Sequence, residues 1–126
     1  MHGTGPDPLK NRRFVVRLGF AVAGLRLVFA REKSFRSQCA LAIAAVLLTI
    51  AVSPGPFWSA LVALAIGLVL ALELVNSALE YLLDHLHPDL AREIGAAKDS
   101  AAAAVLVASL AAGCVGALMV LASLER

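Results

Sequence analysis

The chain has 126 residues, 60% of them hydrophobic and 16% charged, and its mean hydropathy of +0.85 is too high for a water-soluble domain of this size. So short a chain has no room for a soluble domain beside several membrane spans, so one all-α membrane domain over residues 1–126 is expected, and any large site must be shared between subunits. The net charge is only +2, no nucleic-acid partner is expected, and Cys39 and Cys114 sit in apolar runs without the spacing of a zinc site or disulfide framework.

Residues 1–8 are short, polar and rich in Gly and Pro, unlike a secretory leader, so the spans are expected to be retained. Over residues 9–36, Phe14, Val15, Leu18, Val22, Leu25 and Phe29 alternate with Arg13, Arg17, Arg26 and Arg31. At helical spacing this gives an apolar side with a basic rim, as in a helix lying in the membrane interface. Arg13, Arg17 and Arg31 are then placed for lipid headgroups or a polyphosphate; a solvated basic tail held by anionic lipid is the alternative.

Residues 37–53 form the first expected span, an apolar stretch rich in Ala, Leu, Ile and Val with Ser37 and Gln38 at its edge. Ser53-Pro54-Gly55-Pro56 stops it and turns the chain, and Trp58 fits an interfacial anchor. The second span is expected over 57–83. Residues 84–98, with Asp84, His85, His87, Asp89, Arg92, Glu93 and Lys98, must be a loop or helix end in water. The third span is expected over 99–123, where Gly113 and Gly116 would let neighbouring helices approach closely. Eight of the eleven Lys and Arg precede residue 37, and the turn near Pro54 has none. The N-terminus and the 84–98 segment are therefore expected on the cytoplasmic side.

The main chemical signal lies in the second span. Glu73, Asn76, Ser77 and Glu80 share one helix face, with Asp84 a turn further on. An ionised carboxylate at membrane depth costs several kcal/mol unless partnered, so this stripe should face the bundle interior or a hydrated pocket. Polar glue between helices would account for any one of these residues. Two glutamates, an asparagine and a serine on one face, with Lys98 and Asp99 at the mouth of the third span, look instead like a metal-and-phosphate site. Glu80 would lie near the boundary and Glu73 about 10 Å deeper, from a rise of 1.5 Å per residue. No GxxxxGK loop and no Ser/His/Asp or Cys/His nucleophilic set is present. Ser77 reads as a helix-packing hydroxyl, the His85/His87 pair as solvated, and Phe20 and Phe35 as anchors or core.

Taken together, E-L-V-N-S-A-L-E at 73–80, Asp84, A-K-D at 97–99 before an Ala-rich span, and E-K-S-F-R at 32–36 resemble the small prokaryotic diacylglycerol kinase family, which includes the undecaprenol kinases. The resemblance covers roughly residues 13–122. It implies a homotrimer of three-span subunits in the bacterial cytoplasmic membrane, each with an N-terminal surface helix. Composite sites between subunits would transfer the γ-phosphate of ATP, with Mg2+, to a lipid hydroxyl. By position, Glu73 resembles the general base and Glu32 and Glu80 the metal ligands. Asn76, Lys98 and Asp99 match positions that bind or orient the nucleotide, and Arg13 a basic position near nucleotide and lipid. Phe35 and Arg36 fall near the lipid entrance. Two departures stand out: Phe20, at a nucleotide-side position, replaces a tyrosine, and residues 89–91 read Asp-Leu-Ala where many members have E-Y-H. The Ala-rich third span points to diacylglycerol as acceptor, with undecaprenol the alternative. From a different class, a small proton-coupled transporter would also carry an intramembrane glutamate, though usually a lone one in four spans.

Overall fold

The computed structural model describes residues 13–86 and 92–125. Residues 9–12 of the expected surface helix, and His87, Pro88 and residues 89–91, lie outside the described residues. All regular structure within them is helical: α1 (Phe14–Arg31), α2 (Lys33–Val52), α3 (Pro56–Leu86) and α4 (Arg92–Leu124). The last three are long and apolar enough to cross a membrane. α1 holds Arg17, Arg26 and Arg31 in its 18 residues and exposes every side chain but Val28. A surface helix followed by three spans, the expected architecture, is what the chain forms.

The boundary between surface helix and first span falls at Glu32, earlier than the pattern places it. Glu32 is extended, with φ −99° and ψ 112°. Its N–H still closes α1 on the Val28 carbonyl at 2.8 Å, and its own carbonyl accepts from the Arg36 N–H at 3.2 Å to open α2. Arg36 Nη1 donates to the Phe29 and Ala30 carbonyls at 2.9 and 3.1 Å. That places a cation on the otherwise unpaired carbonyls at the negative end of α1. The corner is closed by Phe35, 4% exposed, edge-on to Phe29 with ring centroids 6.5 Å apart.

The second turn is built as its residues dictate. Ser53 adopts the left-handed conformation (φ 50°) and ends α2 through its N–H to the Thr49 carbonyl at 2.9 Å. Gly55 has φ 99°, which a side chain would oppose. Pro56 opens α3 where its missing N–H costs no helical bond.

At 1.5 Å per residue, α2, with its 20 residues, spans about 30 Å, the thickness of the hydrocarbon layer. α3 and α4, at 31 and 33 residues, run about 16 and about 20 Å longer and therefore project beyond it. The polar 84–98 segment is thus mostly helix end, with Leu86 the last residue of α3 and Arg92 the first of α4. α3 and α4 form the main antiparallel pair, while α2 leans on α3 and meets α4 mainly through side chains. Side-chain contacts mark successive depths: Glu32 with Tyr81, Ser34 with Glu73, Gln38 with Ser109, and Thr49 with Met119. Val62, Val69, Val105, Ala108 and Met119 are buried between the helices, whereas Leu41, Ile43, Ile50, Leu64, Val107 and Leu110 point outward. Such a surface suits acyl chains or another apolar helix.

One expectation about α4 does not hold within the subunit. A Cβ built on Gly113 or Gly116 meets nothing within 4 Å, so neither glycine is needed for helices of this chain to approach. Both instead line an apolar groove of about 300 Å³ between α2, α3 and α4, which is open because α2 and α4 stand apart.

Candidate functional site

The stripe on α3 is graded in depth. Glu73 and Ser77 are buried, at 4% and 2% exposure; Asn76 and Glu80 are half-buried and Asp84 is exposed. The helix turns its acidic face towards the start of α2, so the innermost carboxylate meets a neighbouring element and not lipid, as its desolvation cost requires. Ser34 Oγ donates to Glu73 Oε2 at 3.3 Å, and the Gln38 side chain approaches the same carboxylate. Glu32 and Glu80 both lie close enough to act on Glu73 electrostatically. The break between α1 and α2 thus delivers Glu32 to the acidic stripe, 41 positions away from Glu73 in the chain.

Asn76 Nδ2 donates to Glu80 Oε1 at 3.3 Å, one helical turn on. Asn76 Oδ1 is buried and has no hydrogen-bond partner among the described residues. An orphaned buried acceptor is costly to keep, so this oxygen is poised for a donor or cation from outside the chain. Among the described residues, no three His, Cys, Asp or Glu converge as a complete metal shell. What the site offers is hard oxygen donors: Glu32, Glu80 and the Asn76 carbonyl. Magnesium is bound in that way, through one or two carboxylates plus waters and substrate phosphates.

Towards the projecting helix ends, Lys98 Nζ pairs with Asp84 Oδ1 at 2.7 Å, both side chains partly in water at 28% and 64% exposure. The lysine therefore joins α4 to α3 beside the stripe, while its sequence neighbour Asp99 is exposed. Phe35 and Arg36 do join the site region, but as the packed corner and the cap of α1. Arg13 and Phe20 do not come to Glu32 within the subunit. They precede it on α1 by 19 and 12 residues, roughly 28 and 18 Å along a helix. Both are exposed.

Two residues of the site went unnoticed in the sequence. Ser34 looks like any serine in a helix's first turn, and only the fold places it on Glu73. Tyr81 donates its hydroxyl to Glu32 Oε1 at 2.7 Å, and the Arg31 guanidinium lies 5.9 Å from its ring centroid. A usable signal existed, since Tyr81 is the chain's one tyrosine and directly follows Glu80.

The arrangement is a buried carboxylate held by a hydroxyl, with two further carboxylates, an open carbonyl oxygen and a lysine towards the aqueous end. The family model described as prokaryotic diacylglycerol kinase matches residues 19–120, a stretch that contains all of these groups. The chain is 33% identical over 96 residues to the diacylglycerol kinase of Haemophilus influenzae, covering 76% of this chain and 81% of that protein. It is 29% identical over 100 residues to the Escherichia coli K12 diacylglycerol kinase, covering 79% and 82%. A diacylglycerol kinase of Synechocystis is 34% identical over 108 residues, covering 85% of this chain and 62% of that protein. No solved structure matches the chain significantly. By the extent of the family match and the residues it encloses, the chain belongs to the prokaryotic diacylglycerol kinase family.

Proposed function

We propose that the protein is a lipid kinase that transfers the γ-phosphate of ATP to the hydroxyl of diacylglycerol, giving phosphatidic acid, with Glu73 as general base. The observation that carries this reading is the depth of Glu73: buried at 4% exposure, held by Ser34, and about 10 Å along α3 from Glu80. A base at that depth can meet a hydroxyl borne by a lipid, while Glu80, Asn76 and Lys98 lie towards the side from which a nucleotide arrives.

In the transfer, the lipid oxygen attacks the γ-phosphorus in line as the bond to the β,γ-bridging oxygen breaks; the hydroxyl proton passes to Glu73, and ADP leaves. Ser34 holds the accepting carboxylate in place. Lys98 offers its charge to the phosphates, and Asn76 its unpartnered Oδ1 to a donor or bound cation. A divalent cation, magnesium in this reading, would be held by Glu32 and Glu80 and would neutralise charge on the phosphates.

The assembly in this reading is a homotrimer. It supplies Arg13 and Phe20 of one subunit to the site of another, since neither reaches Glu32 within its own. The N-terminus and the projecting ends of α3 and α4 face the cytoplasm in a bacterial inner membrane, on the side favoured by the positive charges. The test is phosphate transfer from labelled ATP with magnesium to short-chain diacylglycerol and to a short polyprenol in mixed micelles, with Glu73→Gln as control. Transfer to diacylglycerol, reduced at least a hundredfold in an assembled Glu73→Gln variant, is expected. Transfer to the polyprenol alone would reassign the acceptor, and full activity of Glu73→Gln would end the general-base role.

A further inference from the structure

We propose that Tyr81 is a positioning residue that fixes the Glu32 carboxylate for a bound cation by clasping the hinge between α1 and α2; the inference rests on the lipid-kinase reading above. Glu32 is the one non-helical residue between the two helices, so any change in their angle would sweep its side chain. Such a carboxylate is a poor ligand unless something outside the hinge holds it. Tyr81, on α3, does so: its hydroxyl donates to Glu32 Oε1 at 2.7 Å, shorter than the 3.3 Å bonds at Glu73 and Glu80 and typical of a charge-assisted bond. The preceding residue grips the same ring, with the Arg31 guanidinium 5.9 Å from its centroid.

Consecutive hinge residues thus clamp one side chain of the helix that carries Glu80, the other proposed cation ligand, immediately before it. Arg36 and Phe35 fasten this end of α1 to α2, and the Tyr81 contacts tie it to α3. The bond occupies one carboxylate oxygen and leaves the group its second for a cation. Donors that orient a metal-binding carboxylate typically contribute 10–100-fold to affinity.

Tyr81→Phe deletes the hydroxyl and keeps the ring, and with it the packing and the Arg31 contact. Binding of Mn2+ with a non-hydrolysable ATP analogue would be followed by electron paramagnetic resonance on the full chain in micelles. Three variants are compared with the parent: Tyr81→Phe, Glu32→Gln and the double variant. Tyr81→Phe is expected to weaken Mn2+ binding about tenfold and to raise the half-saturating Mg2+ of the kinase reaction equally. KM for lipid and kcat at saturating metal should stay within about twofold, a split that general loosening of the fold would not give. In the Glu32→Gln background the Tyr81 change should have no further effect. Parent-like binding by Tyr81→Phe, or the same loss with Glu32 already removed, would overturn the assignment while leaving the kinase reading intact. No Mn2+-nucleotide binding by the parent chain would remove the kinase reading, and this inference with it.

Discussion

Ser34→Ala isolates the contact that holds the proposed base. The substitution removes the hydroxyl that donates to Glu73 Oε2 at 3.3 Å and little else. Ser34 is exposed at the start of α2, so no cavity is made, and alanine is the better helix former. Hydrogen bonds to charged groups contribute about 1.5–3 kcal/mol. At 3.3 Å the bond is longer than the usual range of about 2.5–3.0 Å for a hydroxyl donor, and Gln38 remains beside the carboxylate. The lower bound, about 1.5 kcal/mol, therefore applies, which corresponds to about a tenfold fall in kcat.

Removal of the base itself in Glu73→Gln should cost more, on the order of 10²–10⁴-fold. The assay is steady-state ADP release at saturating ATP and diacylglycerol in mixed micelles. Ser34→Thr, which keeps a hydroxyl, should restore most of the rate. In a Glu73→Gln background the serine change should have almost no effect, because its target is gone. The reasoning fails if Ser34→Ala keeps full kcat, or if it lowers kcat by the same factor with Glu73 already replaced.

Two further substitutions probe separate layers of the structure. Met119, 1% exposed between α2, α3 and α4, is the largest fully buried side chain among the described residues. Met119→Ala should destabilise it by about 1–2 kcal/mol, below the usual range for soluble cores, because lipid removes most of the transfer contribution and leaves the lost packing; an unchanged midpoint in SDS unfolding would contradict this. For the Lys98–Asp84 pair, exposed enough that its worth to stability is below about 1 kcal/mol, Lys98→Met should raise KM for ATP about tenfold or more while Asp84→Asn moves it little. Equal effects of the two changes would make the pair structural and remove the lysine from the nucleotide.

What the sequence made legible follows from where the physics is local. The three spans are long apolar runs, and the turn at Ser53 to Pro56 is written in residues whose backbone preferences force it, so both could be read without knowing any contact. The acidic stripe was legible for the same reason, because helical periodicity alone puts Glu73, Ser77 and Glu80 on one face. The break at Glu32 was not. E-K-S-F-R has no glycine or proline, and the helix ends there because Arg36 caps the carbonyls of α1 and Phe35 packs on Phe29, contacts that exist only once the corner has formed. Ser34 and Tyr81 were hidden by the same kind of cause, since each matters through a partner on another helix, 39 and 49 positions away.

Gly113 and Gly116 are the instructive opposite. Their composition fits close helix contact, yet nothing in the subunit approaches them. Small residues on a helix license an approach by some neighbour without saying which. Within the subunit both glycines face the groove between α2, α3 and α4, and the assembly proposed above would let lipid or another copy be the neighbour. The same logic covers Arg13 and Phe20. They share the sequence pattern of the site, but α1 carries them away from Glu32 by several helical turns, and in the homotrimer proposed above another copy would complete that pattern.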